Sequence, residues 1–190
     1  MKRLSVIVGV LAVFMLTSPN VRAAEVPLER TEGLPASSVV NFQNADFTIY
    51  KEGDLSGRMV DKDAPSGSYA WLLGTTPEWA IQCPIPINLL SRGESYRVYA
   101  VVKVIKAKDA GDAFCCGIYD VDSKIELMRN YVSVKKVPAG WKTYAIGTIK
   151  AEGQSFVWFC GIEDGAASKI LIDRIYLGAQ EIESIQIQEQ

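Results

Sequence analysis

The chain has 190 residues, a net charge of −2 and no histidine. Without a basic stripe, nucleic acid is not expected as a partner. Without histidine, Ser-His-type triads, histidine metal sites and the commonest general base are all excluded.

The N-terminus carries Lys2 and Arg3, then an apolar run from Leu4 to Leu16, then the small-residue exit Val21-Arg22-Ala23-Ala24. A positive start, a short apolar core and an A-x-A-like end predict a signal peptide over 1–23, cleaved after about Ala23. The run is too short for a comfortable bilayer crossing, so no membrane span is expected after cleavage. The protein is therefore expected to be secreted or periplasmic. Residues 24–36 hold Pro27 and Pro35 and read as an extended lead-in. The remainder is one domain by size, placed at 37–179, with a polar tail at 180–190.

From Ser38 onward the chain alternates β-favouring runs with turn chemistry. Short strands are predicted over Ser38–Gln43 and Phe47–Lys51. A turn at Gly53–Gly57 is followed by Met59-Val60 and an acidic loop, Asp61 to Gly67, punctuated by Pro65 and Gly67. Ser68–Leu73 and Trp79–Ile85 are the next strands; Pro84 marks the second as an edge or a bulge. Ser95–Ala107 is the longest strand signal, with Tyr96, Val98, Ala100, Val102 and Val104 on its core face. Ala113–Tyr119 and Leu127–Val134 follow. Three runs end the domain, Trp141–Lys150, Ser155–Ile162 and Ser168–Leu177. No segment after the first 23 residues sustains a 3.6-residue period. Short strands spaced with turns predict an all-β fold, a two-sheet antiparallel β-sandwich of jelly-roll type.

Two features of these strands carry chemistry. Asp173 lies inside an apolar strand, where a charge is costly unless paired or bound to a metal. The four cysteines are Cys83, Cys115, Cys116 and Cys160. Cys115 and Cys116 are adjacent on a strand and so point to opposite faces. One inward bridge, from Cys115 or Cys116 to Cys160 or Cys83, is one reading; small buried hydrophobes is the other. Their spacing matches no zinc pattern.

The order of the motifs resembles a known group. An Asp-x-Asp-Ala-x-x-Gly loop (Asp61 to Gly67) precedes Leu-x-x-Gly-x-x-Tyr-x-Val-Tyr-Ala (Leu90 to Ala100). Then come Ala-Phe-x-x-Gly-Ile-Tyr-Asp (Ala113 to Asp120), Trp-Lys-Thr-Tyr-x-Ile-Gly, and Ile-x-Ile-Asp-Arg-Ile-Tyr-Leu. From Ser38 to Leu177 this resembles the galactose-binding-like jelly rolls, including bacterial carbohydrate-binding modules.

The resemblance implies a non-catalytic module whose partner is a glycan or polysaccharide, bound on a concave sheet or a loop rim. It implies flat aromatic platforms, for which Trp79, Tyr99, Tyr119, Tyr144 and Trp158 are candidates, with Arg97, Lys103 and Arg174 as hydrogen-bond donors. Trp79, Arg97, Tyr99, Tyr119 and Trp158 are the leading set. It also implies a structural calcium tying the first loops to the last strand, with Asp173 and Asp61 or Asp63 as ligands. Read from the residues alone, Asp61 and Asp63 equally suit a solvated turn, with Asp173 paired to a nearby Lys or Arg. Two other classes stay open. One is a structural or protein-binding sandwich of the bacterial envelope. The other is a carboxylate-dependent glycan-acting enzyme, using loop acids such as Asp120, Asp122, Glu126, Glu163 and Asp164.

Overall fold

A computed structural model describes residues 38–50, 53–76, 79–137 and 139–179. The predicted signal peptide, lead-in and tail lie outside the described residues. Eleven strands are described: β1 (Ser38–Gln43), β2 (Thr48–Ile49), β3 (Ser56–Val60), β4 (Ser68–Leu73), β5 (Ile81–Ile85), β6 (Ser95–Lys106), β7 (Asp112–Asp120), β8 (Ile125–Ser133), β9 (Lys142–Lys150), β10 (Ser155–Cys160) and β11 (Ala167–Ala179). Among the described residues the only helical pieces are three short 3-10 turns, and no helix is long and apolar enough to cross a membrane.

The strands form two antiparallel sheets. One runs β3-β4-β11-β6-β9, with β1 also paired to β11; the other runs β2-β5-β10-β7-β8. The protein is the all-β sandwich that its alternation predicts. Inward residues of both sheets meet in one core. Val98, Ala100, Val102, Ile170, Ile172, Ile175 and Leu177 come from the first, and Ile81, Cys83, Phe114, Cys116, Ile118, Val157 and Phe159 from the second. Burying each large aliphatic or aromatic side chain of this set contributes about 1.5–3 kcal/mol.

Several local expectations shift. Residues Ser56 and Gly57, read as part of a turn, open β3 against β4. The strand expected from Trp79 begins only at Ile81, which leaves Trp79 outside the ladder. Pro84 lies beyond Ile81 and Gln82, the residues that β2 pairs. Its missing N–H therefore costs no bond on that side.

β11 is the strand that positions most of the first sheet. Its first half, Lys169 to Ile172, pairs with β4, and its second half, Arg174 to Gly178, pairs with β1. On its other side it pairs with β6, with a register shift between Ile172 and Arg174. Asp173 is thus the extra residue of a β-bulge, at the point where one neighbour gives way to the next. A bulge leaves its extra residue unpaired and re-aims a side chain.

Candidate functional site

Alternation along β5, β10, β7 and β8 sets which side chains leave the core. Val157 and Phe159 point inward, so Phe156, Trp158 and Cys160 point outward; on β7 the outward set is Cys115, Gly117 and Tyr119. Register then aligns these residues in rows across the sheet. Pro84, Phe156, Tyr119 and Glu126 form one row, and Gln82, Trp158, Gly117 and Arg129 the next.

Trp79 folds down onto these rows. Its ring stacks on Trp158 at 5.6 Å and 26° and meets Tyr119 at 5.0 Å and Phe156 at 5.4 Å. Tyr119 and Phe156 stack on each other at 5.1 Å and 29°. Gln82 Nε2 donates to the Trp79 carbonyl at 3.3 Å and holds its backbone at the entry to β5. Offset-stacked and edge-on rings at these separations attract beyond their burial, by about 0.5–1.5 kcal/mol a pair.

Gly117 makes room for the arrangement. A Cβ at that position would stand 2.5 Å from Trp158 Cζ2 and 2.2 Å from the Met128 carbonyl oxygen. Trp158 accordingly lies flat over the glycine and is fully buried. Arg129 Cζ sits 5.1 Å from its ring centroid, a cation–π contact. Arg129 Nε also donates to Glu126 Oε1 at 3.0 Å. That hydrogen bond, followed by one to Tyr131, raises the guanidinium above its ordinary pKa. The outcome is a half-buried surface of Trp79, Tyr119 and Phe156, with the Arg129–Glu126 pair beside it. The indole Nε1 of Trp158 is buried with no hydrogen-bond partner among the described residues.

Three of the five leading sequence candidates, Trp79, Tyr119 and Trp158, come together here. Tyr99 and Arg97 do not: they stand on the outward side of β6, in the other sheet. Tyr99 stacks on Tyr176 at 4.9 Å and 12°, while Arg97 is exposed. Tyr144 packs against Phe114 at the core, 5.8 Å away and edge-on. Phe156 and Arg129 were missed, and Glu126, named only as a loop acid, lies on β8 beside Arg129. Phe156 is legible as the outward neighbour of Trp158, two residues along the same strand. Arg129 and Glu126 emerge only from the β7–β8 register.

The acidic residues sort differently. Asp173 is fully buried. Its Oδ1 accepts from the Ser66 N–H at 2.8 Å and the Ser66 hydroxyl at 2.6 Å, and its Oδ2 from Arg174 Nε at 2.6 Å. The acidic loop does reach the last strand, as the resemblance implies, but through Ser66. Asp61 Oδ1 accepts from the Asp63 N–H at 2.9 Å, its own N–H bonds to the Gly67 carbonyl at 3.0 Å, and Asp63 is exposed. Calcium takes six to eight oxygens. Both oxygens of Asp173 are already committed to donors, one of them cationic, and Asp61 braces its own turn. Asp61, Asp63 and Asp173 as placed do not fit a calcium cage. Among the described residues no three His, Cys, Asp or Glu side chains stand close enough to hold a metal ion. Asp173 instead has the Arg partner that the residues alone allowed.

The loop carboxylates also have structural duties. Asp120 Oδ1 accepts from the Ser123 N–H and hydroxyl at 2.7 and 2.8 Å, and these bonds lower its pKa. Asp122 Oδ2 accepts from the Gln154 N–H at 2.9 Å. Asp164 occupies a left-handed turn at φ 59°.

No family model matches the sequence, and no curated protein matches it. Solved structures do. The family 35 carbohydrate binding module from Clostridium thermocellum is similar over 75% of this chain and 100% of its own, at 18% identity and a TM-score of 0.54. A xylan-binding domain from CBM 22 is similar over 77% of this chain and 97% of its own, at 13% identity and a TM-score of 0.51. The chain therefore has the β-sandwich fold that these two carbohydrate-binding modules share.

Proposed function

We propose that the protein is an exported, non-catalytic module that binds a polysaccharide on the outward face of its five-stranded sheet. The observation that carries the reading is the half-buried group of Trp79, Tyr119 and Phe156 beside the Arg129–Glu126 pair. Aromatic faces carry negative potential, which suits the C–H-rich face of a pyranose ring. A guanidinium and a carboxylate at its edge match hydroxyl acceptors and donors. Trp158, being buried, supports the platform from beneath. The fold shared with a xylan-binding domain makes xylan the first ligand to try. The absence of catalysis is supported by the turn-bracing roles of Asp120 and Asp122 and by the pairing of Glu126 with Arg129.

Affinity electrophoresis through gels holding xylan, β-glucan, mannan or pectin tests the binding. Retardation on at least one polysaccharide is expected. Trp79→Ala and Tyr119→Ala should weaken it by about thirtyfold or more, as truncated aromatic anchors do, while Tyr99→Ala on the other sheet leaves it intact. Free migration in every gel, or a Trp79→Ala variant retarded like the wild type, overturns the proposal. Export is checked separately: N-terminal sequencing of the mature chain should begin at Ala24.

An envelope protein partner is the second reading. It is supported by Ile125, Leu127 and Tyr131, large exposed side chains on the edge strand β8. Charged substitutions at Ile125 and Leu127 that leave every interaction in envelope extract unchanged rule it out.

A further inference from the structure

Cys115 and Cys160 are direct cross-strand partners on β7 and β10. Both point to the outward face, one row beyond Trp158 and Gly117, whereas Cys83 and Cys116 point into the core. Cys83 and Cys116 are thus the small buried hydrophobes of the second reading, and the pair brought side by side, Cys115 and Cys160, faces outward rather than inward. Further along the same ladder the Val121 N–H donates to the Gln154 carbonyl. The ladder carries no register shift. Alternation therefore makes Cys115 and Cys160 a hydrogen-bonded pair, whose Cα atoms stand about 5.5 Å apart. That lies inside the span a disulfide accepts. Cross-strand Cβ atoms stand about 4.5–5.5 Å apart, wider than the roughly 3.8 Å of a relaxed disulfide.

We propose that Cys115 and Cys160 form a reversible cross-strand disulfide beside the aromatic platform. Cys160 is the accessible member, partly exposed where Cys115 is buried. Its sulfur attacks one sulfur of a small-molecule disulfide, and its proton leaves with the first small thiol. Cys115 then attacks the Cys160 sulfur, displacing the second small thiol, which takes up the Cys115 proton. One S–S bond forms and one breaks; two electrons pass from the cysteine pair to the small disulfide. The hydrogen bond between the two thiols lowers Cys115 and raises Cys160; it is lost once Cys160 carries the small thiol, so the second attack rests on the adjacency of the two residues across the ladder. Cys83 and Cys116 lie buried in the core, where no small disulfide reaches them, and this keeps them out of the exchange. The stretch from a relaxed geometry makes the bond easy to reduce.

The test uses the native chain incubated with oxidised glutathione, quenched in acid, alkylated after unfolding and mapped by peptide mass spectrometry. Two of the four thiols should escape alkylation, in one cross-linked peptide pair joining Cys115 to Cys160. Excess reduced glutathione should restore all four. Cys83→Ser should give the same cross-link, and Cys160→Ser none. Four alkylated thiols after oxidation, a lasting glutathione adduct, a link through Cys83 or Cys116, or a bond that resists reduced glutathione each overturns the proposal. The outcome is independent of glycan binding.

Discussion

Ser66 directs both its backbone N–H and its hydroxyl at one oxygen of Asp173, 107 residues further along the chain. The other oxygen is held by Arg174. A loop between two early strands is thereby fastened to the bulge of the last strand. The contact is short, charged and buried, the circumstances in which hydrogen bonds are strongest and their loss costs most.

Removal of the carboxylate should unfasten that loop. Asp173→Ala leaves Arg174 as a buried, unpaired cation and strips the Ser66 N–H of its acceptor. The expected loss is about 3–5 kcal/mol. Ser66→Ala keeps the N–H bond and deletes the hydroxyl, which is shared between Asp173 Oδ1 and the Ser68 carbonyl, and should cost about 1–3 kcal/mol. Urea unfolding monitored by circular dichroism reads both. A loss under about 1 kcal/mol for Asp173→Ala contradicts the ion-pair account.

Chelation should do nothing. With Asp173 committed to Ser66 and Arg174, no calcium is needed to tie loop to strand, and an ion that binds only the native state would otherwise stabilise it. Melting curves with and without a chelator are expected to superimpose. A fall of several degrees, reversed by added calcium, would show that the carboxylates rearrange around an ion.

Gly117 sets the height of the aromatic platform. Gly117→Ala forces a methyl group into the Met128 carbonyl and the Trp158 ring, and the first of these is backbone that cannot swing aside. Overpacking of this kind costs about 1–3 kcal/mol. Trp158 should lift from its buried place, shifting tryptophan emission to longer wavelength. A variant with native emission and native stability rejects the close-packed arrangement.

Alkaline pH should destabilise the sandwich in a defined window. Burial pushes the Tyr176 phenol up to about 12, with a Thr143 hydrogen bond acting in the opposite sense. Burial also raises Tyr69 and Tyr144. The folded pKa exceeds the unfolded one, so the unfolded chain loses its protons first. Stability is complete below about pH 10 and falls as pH climbs towards about 12. Urea midpoints across that range should drop, and Tyr176→Phe should flatten part of the fall. Equal slopes for wild type and variant dispose of the assignment.

The alternation of Tyr96, Val98, Ala100, Val102 and Val104 predicts the core face of β6 correctly, because period-two burial is a local property. The aromatic cluster was half legible. Trp79, Tyr119 and Trp158 stand out by residue type. Their separation from Tyr99 depends on which sheet each strand joins, and residue type does not encode that. Asp173 shows the same boundary. An isolated carboxylate in an apolar strand announces a partner, yet the bulge that aims it at Ser66 arises from the pairing of β11 with β6. The cysteines were left with two readings for a related reason: which of Cys115 and Cys116 faces inward follows from Phe114 and Ile118 occupying the core.

The divided edge of β11 works as a plug and socket. β4 occupies only its first half, and five of the six residues of β1 pair with the second. Withdrawal of β1 would open the backbone from Arg174 to Gly178 as a receptor for any extended strand, including β1 of another copy. The earliest of the described strands thus decides whether the second half of β11 is an interior position of the sheet or an open edge.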